Sequence, residues 1–220
     1  MNRKTKPRPG NRWHAVAKDA AVRGGFEQVG YRVWGGDAFR LPEPVSPCVQ
    51  FFIQPVSPSE IAPLVFFGVF VDAFEADWRD RLLQTDLSPD LDDLPFGLHV
   101  ANIASLMPRP WVPTSPSDED VRAIQVWLER VFEYARRLPA SMADLLAAIE
   151  MNKIADHDLS SYRGHSVKVR GFVQWLRRTH GIDVSERLLP MLTDRTDPYD
   201  VEVMLGEPYS RPSATLAPRH

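Results

Sequence analysis

Two carboxylate clusters carry the densest ligand-like chemistry in this 220-residue chain. Asp156-His157-Asp158 sets an imidazole between two carboxylates. Such a trio can hold a hard cation, or its carboxylates can orient the imidazole as a base. The plainer reading is a solvated helix exit into Leu159-Ser160-Ser161. Asp194, Asp197 and Asp200 form the second cluster, without the glycine and closing glutamate of an EF-hand loop. Asp197-Pro198 is equally an ordinary turn starter. These six residues are the candidate cation ligands, and no cofactor is expected. The six histidines are scattered, and no glycine-rich nucleotide loop, zinc-protease helix or nucleophile elbow is present. Cys48, the only cysteine, precludes an intramolecular disulfide or a paired-cysteine redox or zinc motif, and reads as a buried strand thiol.

Charge offers a second kind of chemistry, recognition. Acids crowd the stretch from Asp72 to Asp93 against only Arg79 and Arg81, and Asp90, Asp92 and Asp93 fall in a loop that could meet a basic partner. No acid interrupts the chain from Leu159 to Ile182, where Lys168, Arg170, Arg177 and Arg178 stand with Trp175. At helical spacing Lys168, Trp175 and Arg178 share a side, which suits a nucleic-acid backbone with an aromatic platform. A helix lying on the acidic 72–93 region, of the same molecule or of a second subunit, explains the charges equally well. Trp111, in a proline-rich loop, is either folded back as a lid or used for binding. The formal charge of -3 argues against a general nucleic-acid binder, so nucleic acid is not expected as a partner. A protein partner or a homo-oligomer is.

These groups need elements to position them. Twenty prolines against 12 glycines demand long irregular connections. Residues 1–12 read as a flexible basic tail, and 13–24 as a helix with Trp13, Ala17, Ala20 and Ala21 on one side. Strands are expected at 30–34, 38–41, 48–54 and 64–71, and another at 96–103. The last of the first four is apolar on both faces, which places it at the centre of a covered sheet. A helix at 73–83 should bury Phe74, Trp78 and Leu82. Beyond Pro113–Pro116 the period turns helical, with Ser117 and Ser141 as N-caps, a helix at 167–180 stopped by Gly181, and a further turn or two at 185–189. Residues 201–205 read as an edge strand and 206–220 as a flexible tail.

The fold class is therefore α+β: a mostly antiparallel sheet of four or five strands packed with helices, with a helical carboxyl-terminal part. Residues 13–116 form the sheet unit, and 117–205 a mainly helical part packed on it as one domain. The longest strongly apolar stretch, Ile61 to Val71, contains Pro63 and Gly68 and is too short to span a bilayer as a helix. No apolar segment follows the basic amino terminus. A cytoplasmic location and no membrane partner are expected.

The order Gly25-Phe26, Tyr31-Arg32-Val33-Trp34, Phe39-Arg40, Val49 to Gln54 and Phe66 to Phe70 resembles the DUF4304-type family of uncharacterised bacterial proteins. The resemblance covers residues 14–71. It implies an α+β fold and a bacterial cytosolic setting, and brings no reaction with it. The leading functional expectation is a non-enzymatic accessory or protein-interaction domain. The alternative is a metal-assisted hydrolase or nuclease whose carboxylates converge in the fold.

Overall fold

The computed structural model describes residues 9–29, 37–87, 96–99, 111–154, 157–158, 166–191 and 198–206. Its helices are α1 (Pro9–Arg23), α2 (Asp72–Leu82), α3 (Asp118–Ala135), α4 (Met142–Glu150), α5 (Ser166–His180), α6 (Ser185–Leu188) and α7 (Pro198–Leu205). The strands are β1 (Glu27–Gln28), β2 (Asp37–Arg40), β3 (Val45–Ser57), β4 (Glu60–Val71), β5 (Phe96–His99), β6 (Val112–Pro113), β7 (Lys153–Ile154) and β8 (His157–Asp158). The class is α+β, with an antiparallel sheet in the order β1-β2-β3-β4-β5 and a helical carboxyl-terminal part.

The long hairpin β3–β4 is the spine of the sheet. Cys48 pairs with Gly68, Val49 with Phe67 and Phe51 with Val65. β4 is central, as its two apolar faces require: β3 flanks one edge, while β5 and β6 share the other. On one face Val49, Phe51, Val65, Phe67 and Val69 enter the main core with residues of α1, α3, α4 and α5. That single cluster draws on both sides of the Pro113–Pro116 segment. On the other face Ala38, Cys48 and Phe70 make a small separate cluster with Val29 against it.

Local signals explain several helix ends. Ser117 and Asp120 close a reciprocal cap on α3: the Asp120 amide donates to the Ser117 hydroxyl at 3.2 Å, and the Ser117 amide to the Asp120 carboxylate at 2.7 Å. The Ser117 hydroxyl, which also donates to that carboxylate at 2.7 Å, and then the Ser117 amide hold the Asp120 carboxyl below its usual range. Ser141 caps α4 through the Asp144 amide at 3.1 Å. Gly181, at φ +67°, ends α5 as the expected left-handed stop.

Three differences from the sequence reading have physical causes. First, α1 begins at Pro9, inside the stretch read as a loose tail; proline suits the first helical turn, where its missing amide costs nothing. Second, residues 201–205 form the end of helix α7 and not an edge strand. Pro198 opens that helix, Val201 and Met204 bury one side at i, i+3 spacing, and Gly206 at φ +66° closes it. Third, the exit from α4 is a short hairpin, in which Lys153 pairs with Asp158 and Ile154 with His157 after Asn152 turns the chain at φ 56°. Of the strand expected at 96–103, β5 covers Phe96–His99. The strand expected at 30–34 lies outside the described residues.

Candidate functional site

The opposed charge regions meet inside the molecule. α5 lies along α2, and the Lys168 ammonium donates to Glu75 Oε2 at 2.6 Å, with both residues at most 2% exposed. Further along α5, Arg178 donates to both Asp77 oxygens at 2.9 and 3.0 Å. Trp175 is buried between them, stacked on Phe172 with ring centroids 5.7 Å apart and set against Phe74 and His180. Arg177 donates to Asp183 at 2.6 Å. The hydroxyl and amide of Ser185, then Arg177, lower the Asp183 carboxyl to about 2. Arg170 is half-buried on the same helix. Helical spacing thus put Lys168, Trp175 and Arg178 together, and α2 is what they face.

The remaining sequence candidates are dispersed. Asp90, Asp92, Asp93, Asp156, Asp194 and Asp197 lie outside the described residues. His157 and Asp158 make up β8, and Asp200 sits in the first turn of α7. Trp111 stands just before β6 and is 55% exposed. Among the described residues no three His, Cys, Asp or Glu side chains converge on a cation position.

A cleft of about 340 Å³ opens instead between the β1–β2 edge of the sheet and α2. Asp72, Glu75, Ala76 and Arg79 recur at helical spacing and form the α2 wall. Glu27, Gln28 and Val29 form the opposite wall, with Arg40 and Phe70 from the sheet between them. Arg40 is doubly held. Its guanidinium lies 4.8 Å above the Phe70 ring and pairs in a fork with Asp72, Nη1 to Oδ1 and Nη2 to Oδ2, the latter at 3.4 Å. This pair remains open to solvent, with side chains 26% and 44% exposed. Glu75, by contrast, is anchored from behind by Lys168. Both acids belong to the first turn of α2, at the positive end of the helix dipole.

Cys48 lies close to these charges, on the sheet face that also carries Arg40 and Phe70. Burial and then the Glu75 carboxylate push its thiol up to about 12, against the opposing pull of Arg40, Lys168 and a hydrogen bond with the Phe39 backbone. It is held as the neutral thiol, a poor nucleophile. The cleft residues therefore supply charge and shape, and the nearby sulfur supplies packing.

Two polar features outside the cleft have structural uses. The half-buried His14 imidazole meets the buried Asp37 carboxylate, which also accepts from Gln28 at 3.4 Å, tying α1 to the start of β2. A groove of about 220 Å³ between α1 and α3 is lined by Arg23, Glu129 and Arg136 among others. There Arg23 pairs with Glu129 at 3.2 Å, and Arg136 donates to the Gly24 carbonyl at the end of α1. Sequence reasoning missed the cleft because Arg40 is remote in the chain from α2. The signal that could have found it was the 72, 75, 76, 79 spacing, which sets two acids and an arginine on one helical side. Comparison with family models, curated proteins and solved structures found no match for the chain.

Proposed function

We propose that this protein is a non-enzymatic accessory protein that binds its partner through the cleft between α2 and the β1–β2 edge. The observation that carries the reading is the solvent-open Arg40–Asp72 pair stacked on Phe70, in a cleft whose second α2 acid, Glu75, is fixed from within by Lys168. A partly exposed ion pair over an aromatic ring is a recognition device: both charges can exchange partners without leaving a bare charge buried. The inert Cys48 thiol supports binding over nucleophilic chemistry at this place.

The internal use of Lys168, Arg177 and Arg178 supports the expectation that nucleic acid is not the partner, since these cations already neutralise acids of the same chain. No helix among the described residues is long and apolar enough to cross a membrane. The test is affinity capture with the full chain, compared with the Arg40→Ala/Asp72→Ala double variant, and identification of everything retained by mass spectrometry. The reading expects species held by the natural protein and lost from the variant. Identical sets on both would contradict it.

A further inference from the structure

The charge arrangement in the cleft narrows what it can hold. Among the described residues three carboxylates line it, Glu27, Asp72 and Glu75, together with two guanidinium groups, Arg40 and Arg79. The buried Lys168 ammonium behind Glu75 makes the balance even. A multiply charged anion such as phosphate would meet three carboxylates, and a polyamine would meet two arginines; for each, repulsion would offset the attraction. A ligand with one charge of each sign meets a complement for both.

We infer that the cleft takes a small zwitterion of the α-amino-acid class, an inference that rests on the binding reading above. The Arg40 fork, 26% exposed, presents a planar pair of donors suited to a carboxylate. Asp72, 44% exposed, accepts from an ammonium at its side. The ligand carboxylate takes a place on Arg40 and its ammonium a place on Asp72, so the existing ion pair opens into an alternating ring of four charges. No charge is left unpaired by the exchange, which keeps the desolvation cost low. Phe70, Val29 and Ala76 supply the apolar surface for the ligand's side chain, and Gln28 a further amide at the rim. The volume of about 340 Å³ stands at the small end of the range for ligand sites, which suits one amino acid better than a nucleotide.

The experiment is a thermal-shift screen of the full chain against the twenty standard amino acids at millimolar concentration, with inorganic phosphate and spermidine as the purely anionic and cationic probes. Isothermal titration of the best amino acid follows, beside its N-acetyl and carboxamide forms. At least one amino acid is expected to raise Tm and bind, while each singly charged form loses about tenfold or more in affinity. Arg40→Lys, which keeps the charge and loses the fork, and Asp72→Asn should each weaken binding by a similar factor, with unchanged circular dichroism. Loss in Asp72→Asn alone, through misfolding, is separated from loss of recognition by the Arg40→Lys result. The inference is overturned if none of the twenty binds, if the blocked forms bind as well as the zwitterion, or if phosphate or spermidine binds in its place. Failure of the screen with partner capture intact would remove the amino-acid assignment and leave the binding reading standing.

Discussion

At the scale of single residues, the buried Lys168–Glu75 pair carries a heavy desolvation cost. Taking an ammonium and a carboxylate out of water is offset only when the two meet in good geometry, and here they meet at 2.6 Å. Removing one partner strands the other. Lys168→Met or Glu75→Leu alone should therefore destabilise the fold by about 3–5 kcal/mol, while the double variant recovers most of the loss. Urea denaturation of the three variants checks this, and equal losses in the single and double variants would contradict it. The Cys48 thiol gives a second prediction. Held at about 12, it should resist a thiol reagent at pH 8 in the native protein and react fully once unfolded. Asp183 titrates in the other direction. Its folded carboxyl is lowered from 3.8 to about 2, so its contribution to stability is complete above the unfolded value and drains away as pH falls from 3.8 towards 2. Asp183→Asn should flatten that part of the stability profile, measured by denaturation between pH 5 and the acid limit.

Elements were legible where their ends and their buried faces agree. In α3 the Ser117 cap and the run Ile124, Leu128, Val131 and Phe132 tell the same story, and all four apolar residues are fully buried. α2 buries the expected Phe74, Trp78 and Leu82. β4 was legible because a strand apolar on both sides needs cover on both faces of its sheet, and it has it: Val65, Phe67 and Val69 enter the main core and Phe70 the smaller cluster. α7 failed because Val201, Val203 and Leu205 alternate as a strand would, while the decisive residues, Val201 and Met204, are set by packing against α5. Tertiary packing overrode a β-branched pattern over a short span. The α2–α5 interface is tight enough to predict a failure of its own. A Cβ on Gly171 would fall 2.4 Å from the Trp78 ring, so Gly171→Ala must push the indole out of place. The expected loss is about 1–3 kcal/mol in spite of alanine's better helix propensity, read from the shift in the denaturation midpoint.

At the scale of the whole molecule, the sequence displays charge but not the direction in which it faces. The acidic and basic stretches fit two interaction surfaces or one internal contact, and only the packing of α5 on α2 chooses the internal contact for Lys168 and Arg178. The cleft proposed for recognition is assembled from β1, β2, β4 and α2, residues far apart in the chain, of which only the α2 wall shows a sequence spacing. The most direct measurement of the central claim is photo-crosslinking from the cleft in cells. p-Benzoylphenylalanine placed at Ala76, on the exposed α2 wall, is compared with the same probe at Val126 on the exposed side of α3. The account predicts a discrete adduct from position 76, diminished by Arg40→Ala and absent from position 126. Equal labelling from the two positions, or labelling from 126 alone, would contradict it.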